Sequence, residues 1–550
     1  MLDHRIFNER PESQDRMIKV LQGLGYEYVP RAVAEEKRGS KTKVIFEDEL
    51  VKFLGRQRFD YKGEKLHFSS ESIGKAIREL DAPITNGLMM TSKVIYDLLC
   101  MGKSLEQTLP DGAMQSFDIK YIDFDNPANN SWQVTDEFEV ERPNGKFARP
   151  DIVLLVNGIP LVVIECKKSS VDVAEGVKQN IRNWHPDYIP QLFKFAQIVI
   201  ATNLNEFLYG TCGTPENHFN PWKEEEKDWQ EDLCKKCSPD GKIVEQDRAT
   251  TSLLSRERLL ELIRSFIIYD ANIKKIARYK QFFAVKKCMD RIKMKDGKGT
   301  KNGVLWHTQG SGKTISMIML VKMIQRDKAF ENPRFVLVTD RKNLDKQILE
   351  NFSNTKMHPT RATTGRSLVS LIKDDGKTVV TTIVNKFETA IKMNFRKDNE
   401  NIFLIIDEGH RSHYGRLNTY MNTVLPNAVK LAFTGTPLIK EEKKNTYEKF
   451  GPLIDSYTME DAISDGVTVP LVYEGRIIPQ GISNAKIDEI LKYVTAPLSK
   501  EEKERLKKKY SSFFHLAQTS KRLEMVAVNV YEHFIHYCRQ KGFKAILTCS

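Results

Sequence analysis

The sequence is short of several things. No apolar run approaches the roughly 18 residues that a membrane-spanning helix needs, and the amino terminus, MLDHRIFNERPESQDR, is charged from its third residue with no apolar core of a secretory signal. Neither a membrane span nor export is therefore expected. Cysteine is sparse and scattered: of the eight, only Cys234 and Cys237 form a CxxC, in the polar context LCKKCSPDG. No second ligand pair stands at zinc spacing, so the pair reads as part of a solvent-facing loop and the thiols point to a reducing, cytoplasmic setting. Internal repeats and low-complexity segments are also absent.

What is present is length and charge. At 550 residues the chain should hold roughly three or four domains. Its 85 basic and 73 acidic residues leave a net charge of +12, which suits a polyanionic partner without identifying one. Runs such as KEEEKDWQED (223–232) and KEEKERLKKKY (500–510) read as solvated loops or helix faces.

Three regions separate by pattern. The first, residues 1–254, gives β-type runs at 131–140, 151–156, 160–166 and 195–203, the last following a helical stretch, VAEGVKQNIRNW. This predicts an α/β core with a mixed sheet, followed at about 213–250 by an insertion or linker. The second region, 255–470, opens with a predicted helix over 255–270. It continues with short apolar strands at 303–308, 334–340, 378–383, 401–408 and 428–436, each followed by a helical pattern. That alternation predicts a parallel, doubly wound sheet. The third region, 471–550, is helix-rich and ends on a predicted strand, FKAILTCS (543–550).

HTQGSGKTISMIML (307–320) follows an apolar strand and opens a helix, the setting a phosphate loop requires. Gly310, Ser311 and Gly312 let backbone N–H groups approach phosphates, Lys313 can reach the β and γ phosphates, and the Thr314 hydroxyl can ligate Mg2+. His307 stands where the usual pattern has Gly or Ala. Downstream, NIFLIIDEGHRS ends a strand in Asp407 and Glu408, one acid suited to hold Mg2+ and the next to orient or deprotonate the attacking water. The segments VTDRKNLDKQI (338–348), TIVNKFE (382–388), DEGH (407–410) and FTGTP (433–437) follow in order. Together they resemble the first motor domain of superfamily 2 helicases and translocases. The resemblance implies that Gln281 reads the adenine edge and that Thr434, Gly435 and Thr436 couple nucleotide state to DNA. It also places Asp340 and Arg341 in a segment that contacts or supports the DNA.

In the first region, RPDIVLLVNGIPLVVIECKK (149–168) places charges at both ends of an apolar hairpin. Alternation puts Glu165 and Lys167 on one face, and Asn157-Gly158 signals the turn. A plain two-residue loop faces Asp151 against Ile164; a three-residue loop or a bulge sets it opposite Glu165, and a loop that is not a plain two-residue turn is the expectation. Two carboxylates can share a divalent cation while Lys167 orients water or balances charge. With Pro150, this set is the signature of PD-(D/E)xK nucleases.

Together with YIDFDNPANNSWQVTDEFEV (121–140), Gln179 and IPQLFKFAQIVIATN (189–203), the hairpin resembles the nuclease region of the restriction (motor) subunit of type I restriction–modification enzymes. That family often has a QxxxY pair; Gln179 matches it, and Asn183, beside Trp184, stands at the tyrosine position. The resemblance implies a PD-(D/E)xK nuclease domain, a RecA-like ATPase domain and the incomplete start of a second RecA-like domain. It also implies ATP and Mg2+ as cofactors and double-stranded DNA as substrate. Modification methyltransferase and specificity subunits would be partners in a prokaryotic cytoplasm. A chain ending near the first strand of the second motor domain reads as a fragment, expected to bind Mg2+ and nucleotide but to translocate poorly or not at all. The alternatives are a stand-alone helicase–nuclease of repair or defence and a nuclease-inactive docking module.

Overall fold

The computed structural model describes residues 10–294, 300–340, 342–355, 357–407, 414–435, 450–470, 473–475, 493, 495–510 and 520–547. Residues Met1–Thr468 form one compact unit and Val469–Ser550 a second.

The first sheet has seven strands that lie in chain order: β1 (Glu27–Val29), β2 (Trp132–Asp136), β3 (Ile152–Val156), β4 (Ile159–Cys166), β5 (Ile198–Thr202), β6 (Phe207–Gly210) and β7 (Asn220–Pro221). The pairs β1/β2 and β4/β5 are parallel and the others antiparallel, the mixed sheet expected. Every residue of β3 and β4 is buried. That explains why their sequences are continuous apolar runs, without the alternation of a strand with one wet face.

The hairpin joining β3 and β4 corrects one expectation. Its loop is a plain two-residue turn, with Val156 paired to Ile159 and with Asn157 and Gly158 both at positive φ, 52° and 77°, as a type I′ turn requires. The shift comes three residues later. Pro160 pairs with Leu155, but Leu154 pairs with Val162, so Leu161 is an extra residue in the ladder. Proline has no N–H to give a ladder and in a central strand is tolerated at bulges. The register then runs to Ile164 opposite Ile152, and one further step sets Asp151 opposite Glu165.

The second sheet is wholly parallel, with β8 (Gly303–His307), β9 (Arg334–Thr339), β10 (Thr360–Arg361), β11 (Val379–Ile383), β12 (Ile402–Asp407), β13 (Val429–Thr434) and β14 (Leu453–Tyr457) in the order β10-β11-β9-β12-β13-β8-β14. Alternate residues serve different cores. Leu305, Leu337 and Ile405 belong to an apolar cluster that continues into the first sheet, while Val304, Val336 and Leu404 belong to a separate cluster on the opposite face.

Three other expectations change. The predicted helix over 255–270 ends at Ser265, and 267–270 is a strand paired with 273–276; the β-branched Ile267 and Ile268 favour a ladder once a partner is adjacent. The 213–250 segment is folded, with helices at Lys227–Cys237 and Glu245–Leu254 and with Trp222 and Glu224 buried. Cys234 and Cys237 lie on the buried face of the first of these helices as free thiols, not in a solvent-facing loop. In the second unit, helices occupy Lys500–Tyr510 and Ser520–His533. Residues 543–547 of the expected final strand form no strand, and Ile546 is 92% exposed: an apolar run becomes a strand only where a neighbouring edge takes its N–H and C=O groups.

The β3–β4 turn is itself a buried hub. Asn157 donates from Nδ2 to Tyr121 O (3.0 Å) and Asn130 Oδ1 (2.8 Å) and accepts at Oδ1 from Ser131 N (2.8 Å). A Cβ on Gly158 would stand 2.3 Å from Phe46 O. Gly158→Ala is therefore expected to destabilise the protein by about 1–3 kcal/mol through strained backbone and steric conflict, measured as a lower midpoint of thermal or urea unfolding.

Candidate nuclease and nucleotide sites

The bulged register brings the Asp151 and Glu165 carboxyls within hydrogen-bonding reach of each other. Asp151 is held from the backbone side, its Oδ2 accepting from Cys166 N at 2.7 Å, and Gln14 Nε2 donates to Asp151 O at 3.0 Å. Glu165 is fully buried. Its Oε1 accepts from Asn183 Nδ2 at 3.0 Å, and among the described residues its Oε2 has no donor. Lys167 closes the group: its N–H continues the ladder to Thr202 O (2.8 Å), and its ammonium lies 3.2 Å from Cys166 O.

Burial pushes the Glu165 carboxyl well above its ordinary range, and the adjacent Asp151 adds to this; Lys167 and Arg182 act in the opposite direction. Two carboxylates in contact, one of them dry and with an oxygen lacking a donor, need a proton or a cation between them. Among the described residues no three His, Cys, Asp or Glu side chains converge. The donor set is therefore two carboxylates with nearby backbone oxygen, hard ligands that fit a divalent cation completing its shell with water.

Asn183 is the residue whose role the sequence left open. It lies at the end of α1 (Val173–Asn183), whose N-terminus Asp172 caps by accepting from Ala174 N, and it is 1% exposed. Gln179 sits one turn earlier, half-buried, and makes no side-chain hydrogen bond to described residues. The contact to the buried acid thus comes from the amide that replaces the tyrosine, not from the glutamine that matches the family pattern.

In the second sheet the phosphate loop joins β8 to α3 (Lys313–Arg326). Gly310 and Gly312 both have φ of 85°, which turns the loop tightly at the helix N-terminus. Gln281, on α2 (Tyr279–Ile292), donates from Nε2 to Ser311 O and Gly312 O, each at 3.2 Å, and accepts at Oε1 from Arg278 N. A Cβ at Gly312 would lie 2.5 Å from that amide nitrogen. A cavity of about 440 Å³ opens here, walled by Gly310, Ser311, Gly312 and Gln281 and also by His218 and Asn220 from the end of the first sheet. Lys313 Nζ lies 3.4 Å from His307 O, and Thr314 follows it on the first turn of α3.

Asp407 ends β12 and Thr434 ends β13, the strand between β12 and β8, so both stand on the carboxyl edge from which the phosphate loop springs. That edge is where ligands bind in open parallel sheets. Gly435 follows Thr434, and Asp340 follows β9. Arg341, Glu408, His410 and Thr436 lie outside the described residues.

Residues 6–218 match the family described as type I restriction enzyme R protein N terminus, and residues 280–504 match the SWI2/SNF2 ATPase family. A Methanocaldococcus jannaschii protein assigned as the MjaIXP endonuclease subunit of a type I restriction enzyme is 30% identical over 96% of this chain and 52% of its own length. The HindI type I restriction enzyme endonuclease subunit of Haemophilus influenzae is 30% identical over 82% of this chain and 45% of its own. The chain spans about half the length of the curated relatives it matches.

Two outcomes follow from the state of Glu165. Because folding raises its pKa above the ordinary 4.5, the metal-free protein gains stability from this group at low pH and loses it as pH rises through the folded value. Glu165→Gln should therefore stabilise the metal-free protein at neutral pH by about 1–3 kcal/mol. A divalent cation is expected to raise the unfolding temperature of the unaltered chain, and Glu165→Gln to abolish that rise. Asn183→Ala, which removes the donor to Oε1, should weaken Mg2+ binding or DNA cleavage by about 10–100-fold, read by calorimetric titration and by cleavage at varied Mg2+.

Proposed function

We infer that this chain, which matches the amino-terminal family of type I restriction enzyme R proteins and the SWI2/SNF2 ATPase family and resembles type I endonuclease subunits over about half their length, is part of such a subunit. From that premise we propose that it cuts DNA at Asp151, Glu165 and Lys167 and hydrolyses ATP at the 310–314 loop. ATP hydrolysis would drive movement along double-stranded DNA. The observation that carries the reading is the bulge at Leu161, which sets an acid against a buried second acid.

Residues 1–254 act as the nuclease and 255–470 as the first motor domain. In the nuclease, Asp151 and Glu165 would hold a divalent cation, which when bound would polarise the phosphodiester and lower the pKa of its water. Asn183 keeps Glu165 aimed, and the Lys167 ammonium orients the attacking water and balances charge as it develops on the phosphate. In the motor, the backbone N–H groups of 310–313 and the Lys313 ammonium take the phosphates, and Thr314 and Asp407 hold the accompanying Mg2+. Glu408 orients the water, Gln281 reads the adenine edge, and Thr434, Gly435 and Thr436 pass the nucleotide state to the DNA. A specificity subunit would supply the choice of DNA sequence, with a modification methyltransferase alongside, in a prokaryotic cytoplasm.

The roles are separable. In the assembled complex, Asp151→Asn or Lys167→Ala should abolish cleavage, by about 10³-fold or more, while DNA-stimulated ATP hydrolysis persists. Lys313→Ala should abolish ATP hydrolysis and the cleavage that depends on it. Cleavage that survives both nuclease changes would favour a docking role for the amino-terminal region.

A further inference from the structure

His307, the departure at the head of the phosphate loop, is the last residue of β8 and is 1% exposed. A histidine there is larger than the Gly or Ala of the usual pattern and brings a polar ring into the interior, which needs a partner. Its Nε2 lies 2.8 Å from Oδ2 of Asp455, itself 5% exposed, on the neighbouring parallel strand β14.

Asp455 is in turn held from behind. Its Oδ1 accepts from Lys287 Nζ on α2 at 2.5 Å, and the same ammonium donates to Glu225 Oε2 at 2.5 Å. Burial pushes the Asp455 carboxyl up, but His307 and Lys287 together outweigh it and hold the group below its ordinary range. The chain Glu225, Lys287, Asp455, His307 thus runs unbroken from the segment after the first sheet to the head of the phosphate loop. At its far end the His307 carbonyl lies 3.4 Å from Lys313 Nζ, and the next residue, Thr308, donates from N to Tyr457 O at 2.9 Å.

A second carboxylate nearby repeats the arrangement. Asp465 accepts from Lys223 Nζ (2.5 Å), Tyr279 OH (2.6 Å) and Tyr457 OH (2.9 Å). Residues 223–225 are therefore pinned by charge to both ends of the segment that borders the loop.

We propose that Asp455 is a positioning residue for ATP turnover, fixing the His307 imidazole and through it the head of the phosphate loop and the carbonyl that Lys313 reaches. Lys287 and Glu225 hold Asp455 in place, so the loop's position depends on residues 223–225. The inference rests on the ATPase reading of the loop.

The test is a double-mutant cycle of Asp455→Asn and His307→Gln, with Glu225→Gln, Asp455→Glu and Lys313→Ala as further arms. DNA-stimulated ATP hydrolysis by the assembled complex is read together with the unfolding midpoint. Each cycle single should raise KM for ATP by about ten- to hundredfold, the worth of one charge-assisted buried hydrogen bond, with a smaller effect on kcat. The double variant should be no worse than the more severe single, Glu225→Gln should shift KM in the same direction, and Asp455→Glu should recover part of the loss. Singles whose effects multiply in the double would overturn the proposal, as would a lower unfolding midpoint with KM unchanged. Undiminished hydrolysis by Lys313→Ala would instead overturn the ATPase reading itself.

Discussion

A fully buried glutamate set against an aspartate is the constraint on which the amino-terminal half depends. Left to solvent, two carboxylates repel weakly and drift apart; in a dry setting each must find donors, a proton or a cation. Here the approach is enforced by backbone, since both acids stand one step beyond the last pair of β3 with β4, Ile152 opposite Ile164, and Asp151 is fixed further by the Cys166 N–H. Burial, with the opposing Asp151 adding to it, raises the proton affinity of Glu165, and a bound cation would relieve it. The apolar hairpin is thus the part that makes an unfavourable juxtaposition persist, by burying every residue of both strands.

The same logic explains the neighbours of Glu165. A buried carboxylate with two oxygens asks for at least two interactions, and Asn183 supplies one without bringing charge. A tyrosine hydroxyl at that position would reach from a longer side chain. The amide instead stands close at the end of α1, which packs on β4 and β5. Replacing the tyrosine is therefore not a loss of the supporting contact but a change in the group that makes it.

Much of this was legible in the sequence, and the failures have physical causes. Apolar runs predict β2 to β5 of the first sheet and β8, β9, β11, β12 and β13 of the second, because fully buried strands need no alternation to be recognised, and glycines before a helix predict the phosphate loop; β1, β6, β7, β10 and β14 are short or partly exposed and are not read from such runs. The alternation leaves the hairpin's register open between loop and bulge, and the expected departure from a two-residue loop does not occur. The decisive residue was Pro160, which cannot donate to a central ladder and so marks the bulge directly. In the 213–250 segment charge suggests solvent, but its acids have partners inside the fold. Glu224 is buried against Arg258 at 2.8 Å and the half-buried Glu225 pairs with Lys287 at 2.5 Å, partners distant in sequence that composition cannot reveal. FKAILTCS failed in the other direction: propensity favours a strand, but a strand is a property of two segments.

The continuity of the core bears on how the two sites can work together. Side chains on one face of the second sheet, Leu305, Leu337 and Ile405 among them, pack in the same apolar cluster as β3, β4 and β5. Interiors packed at crystal-like density transmit displacement rather than absorb it. The cavity beside the phosphate loop is walled in part by His218 and Asn220, from the end of the first sheet. The phosphate loop thus faces the end of the first sheet across one cavity, and the shared apolar core is what joins the two sheets. Independent rigid-body motion of the two sheets would expose part of that shared core, at roughly 25 cal/mol per Å² of apolar surface. Coupling between the sites is thus set by the packing itself, and the charged side chains add direction to a connection that the core already makes.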